Sequence, residues 1–275
     1  MRRCKPLLGT YVEISLENQS GNDVIDHAFN QIEKVQQLMS FHDSHSELSI
    51  INSQAHCKSI RIHPWTARIL RIAQDLHIHS GGLFNCGIGH RLIAAGLLPK
   101  HTDISSHGIG DVGGIEDIYF IDDDRISSLR PLCLDLGGIA KGFAVDLAVN
   151  ALIAKGVNDG SVNAGGDLRV FGSQSQRIYI RNPHLPRHLI EIGSLSNGAI
   201  ATSAMYFSKR DRQANHIINP LAQTCSGKDE PLIGSYSIIA KECVYADALT
   251  KVLALSRHEN HPCFSRYSAQ AIQIY

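Results

Sequence analysis

A chain of 275 residues that is 43% hydrophobic and 19% charged can bury one large core or two closely joined lobes, which excludes a disordered ground state. Its 26 Lys and Arg balance 26 Asp and Glu, and this zero formal charge argues against a partner gripped mainly through nucleic-acid phosphates. No apolar run reaches the length of a bilayer, and seven cysteines without a CxxC pair read as reduced thiols rather than a disulfide framework.

In chain order, Met1-Arg2-Arg3-Cys4 runs straight into a strand at Leu8-Gly9-Thr10. No apolar segment precedes Cys4, so a lipid anchor is not expected there and a cytoplasmic location is. Val12 to Leu16 reads as strand. Asp23 to Met39 reads as an amphipathic helix with Ile25, Ala28, Ile32, Val35 and Leu38/Met39 on its core face. A second helix, Trp65 to Ser80, starts after Pro64 and stops at Gly81-Gly82, delivering Phe84-Asn85 to whatever lies beyond. Residues 99 to 130 are loop-rich with a short strand at Ile118 to Ile121. The last third alternates strands at Ile178 to Arg181, Ala199 to Ser203, His216 to Ile218 and Ser235 to Ala240, before a helix around Asp247.

The most informative stretch lies between these parts, from Leu132 to Gly172. An apolar strand ends in Asp135, Gly137-Gly138 lets the backbone turn tightly, and a helix opens at Ile139 to Lys141. Its free N–H groups and dipole favour an anionic ligand such as phosphate. Ala140, Ala144, Leu147, Ala148, Ala151 and Leu152 make one narrow face of small residues, and Lys155-Gly156 supplies the stop. A strand from Ser161 breaks at Gly165-Gly166-Asp167 and resumes at Leu168 to Phe171. On pattern alone, two ordinary crossover turns with solvated aspartates explain this stretch equally well.

The same segment resembles the signature of the ApbE family, the FAD:protein FMN transferases, which runs as DLGG-x-x-KG-x-x-x-D followed by NAGGD. Other blocks fall in the family's order: Pro6 to Thr10, Leu38 to Asn52, Gly81 to Asn85, Ala201 to Tyr206, His216 to Pro220 and Ala246-Asp247-Ala248-Leu249. The resemblance implies a mixed α+β fold filling the whole chain as a single ApbE-like domain, with two closely joined lobes and an FAD pocket between them. It implies that FAD is cleaved with the help of Mg2+, that FMN is attached by a phosphoester to a threonine or serine of a partner flavoprotein, and that AMP leaves. Carried over position by position, it makes Leu8, His42, Leu83, Phe84, Asn85, Asp135, Lys141, Ile217 and Ile218 flavin contacts. Gly138 becomes a metal-facing carbonyl and Asp247 the principal Mg2+ carboxylate.

The departures from the family pattern matter as much. A threonine is expected four residues after Asp247, where carboxylate and hydroxyl share one helix face, and this chain has Lys251 there. Thr250 sits about 100 degrees round the helix from that position, yet three residues from Asp247 and within reach of the same ion. Asp247, Lys251 and Thr250 therefore make the expected catalytic and metal set. Either Lys251 shares the metal's task, or it displaces the metal and leaves a non-catalytic FAD-binding or flavin-trafficking protein; an FAD pyrophosphatase is a third reading. An exposed Asp247-Lys251 ion pair is the plain alternative. Asn85 stands where the family has aspartate and His42 where it has tyrosine, changes that spare FAD binding more readily than metal-assisted transfer.

Four other patterns are declined. Gly108 to Gly113 matches GxGxxG without a leading strand or following helix, and His258 to His261 is not HExxH. His42 with His45 has a zinc-like spacing that fifteen histidines produce freely. Asn197 to Thr202 faintly resembles a flavinylation acceptor motif but lacks its extra hydroxyl residue.

Overall fold

The computed structural model describes residues 1–17, 21–100, 112–185, 187–204, 217–222 and 234–275. The chain divides into two compact units. The first is built from residues 1–36, 139–212 and 231–275, and the second from residues 37–138 and 213–230.

The first unit is organised on a seven-stranded sheet in the order β1-β2-β6-β7-β10-β11-β12, with every neighbouring pair antiparallel. These strands are β1 (Arg2–Leu7), β2 (Thr10–Leu16), β6 (Gly160–Ala164), β7 (Asp167–Phe171), β10 (Gly198–Ala204), β11 (Ser235–Ala240) and β12 (Gln270–Ile274). Leu8-Gly9 is not strand, as the sequence suggested, but the two-residue turn of the β1–β2 hairpin. Both residues have positive φ, 55° and 70°, the geometry that a tight hairpin requires. Gly165-Gly166 likewise reverses the chain between β6 and β7, with φ of 62° and 106°, so the expected single broken strand is a hairpin.

Helix α1 (Asn22–Met39) follows the first hairpin, and Ile25, Ala28, Ile32 and Val35 are wholly buried as their spacing predicts. Helices α5 (Ala140–Ala154) and α6 (Cys243–Ser256) pack on the sheet and on each other. The narrow face expected on α5 is instead burial nearly all round: Phe143, Val145 and Val149 are buried along with Ala140, Ala144, Ala148 and Leu152, while Leu147 and Ala151 are only partly covered. A helix apolar on every side has a diffuse pattern because neighbours surround it. Along β7, alternation sends Leu168 and Val170 to one face, where they join Ile178 and Ile200 beneath the hairpin of β8 (Gln176–Arg181) and β9 (Leu189–Leu195). Asp167 and Arg169 project from the other face, where their ion-pair partners lie on α5.

The second unit contains α2 (Glu47–Gln54), α3 (Pro64–His79), α4 (Gly89–Ala94) and a small sheet, β3-β5-β4, formed by Ile60–Arg61, Arg125–Ser128 and Ile118–Phe120. Helix α2 is capped by the Ser46 hydroxyl, which accepts the Ser49 N–H at 3.1 Å. Leu132 to Asp135 is not a ladder strand. Leu132 makes one parallel bridge to Gly113; the Leu134 N–H donates to Asn52 Oδ1 at 2.8 Å, and Asn52 Nδ2 donates to the Leu134 carbonyl at 3.0 Å. Asn52 is buried and so takes the place of a strand neighbour. Ile217 and Ile218 lie outside any strand, and His216 is outside the described residues, as are Tyr206 and most of the GxGxxG match.

Candidate functional site

Within the first unit, four charged side chains converge where α5 begins. Asp247 on α6 and Asp167 at the start of β7 are nearly inaccessible, with side-chain exposures of 1% and 6%. Lys141 in the first turn of α5 places Nζ 2.6 Å from Asp167 Oδ2 and 3.6 Å from Asp247 Oδ2. Lys251, one turn after Asp247, sets its ammonium on Asp247 Oδ1 and 2.9 Å from the Asp247 carbonyl. The remaining contact on Asp247 Oδ2 is the Gly142 N–H, which donates at 3.0 Å. One of the free N–H groups expected to attract an anion at this helix terminus, that of Gly142, thus already meets one, the protein's own carboxylate.

Burial and charge pull against each other here. Burial opposes ionisation of Asp247, and Lys141, Lys251 and the Gly142 N–H overcome it, holding the carboxyl below its ordinary range. Asp167 is pushed up by burial and by the Asp247 charge. Burial also works against the Lys141 ammonium, but Asp247 and Asp167 more than offset it and raise its pKa. The buried Cys243 thiol is pushed well above its ordinary value by desolvation and the nearby acids, so it stays protonated and is no nucleophile.

The Thr250 hydroxyl donates to the Asp247 carbonyl at 2.7 Å and lies 2.8 Å from the Ser203 hydroxyl on β10. A hydroxyl has one proton, so Ser203 is the donor in the second bond. Both carboxylate oxygens of Asp247 are engaged by nitrogen donors, and no cluster of three or more metal-ligating His, Cys, Asp or Glu occurs among the described residues. A divalent ion within about 4 Å of one ammonium meets roughly 8 kcal/mol of repulsion at an effective dielectric constant near 20. The residues present therefore do not fit a Mg2+ ion at Asp247.

The other expected residues are distributed as follows. Leu8 lies in the β1–β2 turn, where its N–H donates to Gln36 Oε1 at 2.6 Å. In the second unit His42 is exposed just before α2, while Leu83 and Asn85 are partly covered. Phe84 is 3% exposed, its N–H held by the Ser80 hydroxyl at 2.9 Å. The Asn85 side chain accepts the Gly87 N–H at 2.7 Å, and the Asp135 N–H donates to the Cys86 carbonyl at 2.8 Å, so segments 83–87 and 132–136 lie side by side. Gly138, Ile217 and Ile218 are partly exposed.

Two members of the charge network went unrecognised from sequence. Asp167 closes the NAGGD match and Asp146 the KG-x-x-x-D match, and an acid amid the apolar run Phe143 to Val149 was the available signal for Asp146. Asp146 accepts from the Cys243 and Val244 N–H groups at 2.9 and 2.8 Å and pairs with Arg169 at 2.6 Å.

The site is thus an acid–ammonium cluster on two packed helices, above a wholly antiparallel sheet and beside a glycine-rich hairpin. The chain belongs to the ApbE family, whose model matches residues 8–274. It is 30% identical over 236 residues to a FAD:protein FMN transferase of Rhodobacter capsulatus, an alignment spanning 78% of this chain and 43% of that protein. It is 26% identical over 274 residues to a protein of the same description from Vibrio cholerae serotype O1, spanning 92% of this chain and 80% of the relative. Among solved structures, the flavin transferase ApbE from Vibrio cholerae superposes with a TM-score of 0.83 at 22% identity, covering 99% of this chain and 92% of that one. The ApbE protein from Thermotoga maritima gives 0.81 at 24% identity, with coverage of 99% and 93%. These structural likenesses establish the mixed α and β fold.

Proposed function

We propose that this protein is a FAD:protein FMN transferase. The observation that carries this reading is the Lys141–Asp167–Asp247–Lys251 cluster at the start of α5, in a chain of the ApbE family. Its two ammonium groups offer positive charge to a pyrophosphate, where negative charge accumulates as the bridging bond breaks. In the proposed reaction the acceptor hydroxyl oxygen bonds to the FMN phosphorus. The bond from that phosphorus to the bridging oxygen breaks, its electron pair leaves with AMP, and the hydroxyl proton passes to solvent. The acceptor is a threonine or serine of a partner flavoprotein. Leu8, His42, Leu83, Phe84, Asn85, Asp135, Lys141, Ile217 and Ile218 are the proposed flavin contacts. The six described cysteines are free thiols, which supports a reducing, cytoplasmic setting. No helix among the described residues is long and apolar enough to cross a membrane.

The second reading is a protein that binds FAD without turnover, favoured by the Lys251 ammonium on Asp247 Oδ1. Incubation with FAD and a flavoprotein domain bearing an acceptor threonine separates the two. Transfer yields AMP in step with a fluorescent, acid-stable flavin adduct on the acceptor. Bound FAD with no AMP supports the second reading, and absence of FAD binding overturns both.

A further inference from the structure

We propose that Lys251 is a built-in cation: its ammonium, together with that of Lys141, does the work of a divalent ion at Asp247, so that the protein engages the flavin pyrophosphate without metal. The anion named here rests on the flavin reading above; the exclusion of the metal does not.

The first argument is the balance of charge. Two carboxylates, Asp167 and Asp247, face two ammonium groups, so the cluster is neutral without an added ion. The second is layering. Asp247 and Asp167 are 1% and 6% exposed, whereas Lys251 and Lys141 are 20% and 30% exposed, so an incoming anion meets the ammonium layer first. The third is donor count. An ammonium has three N–H donors; Lys251 directs two to the carbonyl and carboxylate of Asp247, which leaves one for a phosphate oxygen. Burial of Asp247 also excludes the plain alternative of a solvated surface ion pair. The Thr250 hydroxyl, the nearest candidate for a second ligand, is already committed to the Asp247 carbonyl and Ser203.

The test uses the full chain and Mn2+ as probe, with the free-ion signal read by electron paramagnetic resonance. The wild type should leave that signal unchanged. Lys251→Thr removes the ammonium and puts a hydroxyl one turn from Asp247, so it should take up Mn2+, and the added substitution Asp247→Asn should abolish that uptake. Flavin fluorescence supplies the second readout: wild-type affinity for FAD should change by less than about twofold between EDTA and Mg2+, while that of Lys251→Thr should rise by about tenfold or more with Mg2+. Should Lys251→Thr fail to fold, Lys251→Met keeps the side-chain length and should weaken FAD binding in EDTA by about tenfold. Mn2+ uptake by the wild type that Asp247→Asn removes would overturn the proposal, as would Mg2+-dependent FAD binding by the wild type. A protein that binds no FAD at all sinks the flavin reading, while the wild-type Mn2+ titration still decides whether Lys251 excludes metal.

Discussion

Asp146 and Asp247 each close the first turn of the helix that carries the other. Asp247, on α6, accepts the Gly142 N–H of α5, and Asp146, on α5, accepts the Cys243 and Val244 N–H groups of α6. Each acid stands four residues after the bonded N–H of its own helix, Asp146 after Gly142 and Asp247 after Cys243. Neither helix has a side-chain cap of its own. Long-range carboxylates do for both what a serine or aspartate normally does locally.

Asp146→Ala removes two caps at once and strands the Arg169 guanidinium, whose side chain is 13% exposed. Breaking a buried, hydrogen-bonded charge pair costs about 3 to 5 kcal/mol. Urea unfolding should show that loss, and the double variant with Arg169→Met should recover part of it. If the single variant is as stable as wild type, the exchange of caps carries no energy.

At Gly142 the two helices are in close contact. A methyl group there would lie 2.2 Å from the Cys243 carbonyl oxygen and 2.8 Å from the Asp247 Cβ. Gly142→Ala should therefore destabilise by about 1 to 3 kcal/mol, although alanine is the better helix former. A thermal melt settles the sign: a rise in Tm would mean that the two backbones can separate without cost.

Asn52 is set to distinguish geometry from burial. Its amide both donates to and accepts from Leu134, so Asn52→Asp keeps the size, loses the donor and buries a charge facing the Leu134 carbonyl. The loss should be about 2 to 4 kcal/mol, and milder at low pH, where the protonated acid again donates. Chemical denaturation at pH 7 and pH 4, each referred to wild type at the same pH, tests both parts.

Two histidines tie stability to pH. His261 Nδ1 accepts the Cys263 N–H at 3.3 Å and caps α7 (Pro262–Arg266), a role that a protonated nitrogen cannot play. Burial and then the charge of His258 lower its pKa from 6.5; burial and then Arg91 lower that of His90, whose Nδ1 is buried without a partner. In both cases the unfolded chain binds more protons than the folded one just below pH 6.5. Their stabilisation is thus complete above that value and lost as pH falls through the folded pKa. His261→Asn should keep the cap and flatten this acid limb, whereas His261→Ala should cost about 1 kcal/mol at pH 8. The comparison is read from unfolding free energies across pH 5 to 8.

Much of this was legible in the sequence, for reasons that also explain what was not. Helices α1, α3 and α6 and strands β2, β8, β10 and β11 announce themselves by period or by Pro and Gly boundaries. Strands β1, β9 and β12 do not, because edge strands and partly exposed hairpins carry polar residues such as Arg2, Lys5 and Gln270 that blunt the alternation. Leu132 to Asp135 reads as strand because its apolar run is real, but Leu134 bonds to Asn52, 82 residues away, and Cys133 and Asp135 bond to Gly89 and Cys86, which no local pattern reveals. The cluster was visible in part: Lys141, Asp247 and Lys251 stand in short motifs. Asp146 stands in the KG-x-x-x-D motif too, but its capping role was hidden because the N–H groups it accepts lie almost 100 residues downstream.

The order in which the chain is made gives the interleaved sheet a further consequence. Lys141, Asp146, Asp167 and Arg169 leave the ribosome long before the helix that completes their network, the Gly142–Asp247 contact spanning 105 residues and the Asp146–Cys243 contact 97. At about 5 to 20 residues per second, they wait roughly 5 to 20 seconds for their counterparts. Until then β7 can pair with β10 but has no α6 against it. The nascent first unit can therefore pair Lys141 with Asp167 and Asp146 with Arg169 early, while the Gly142 N–H and the sheet face that α6 covers wait for that late-emerging helix.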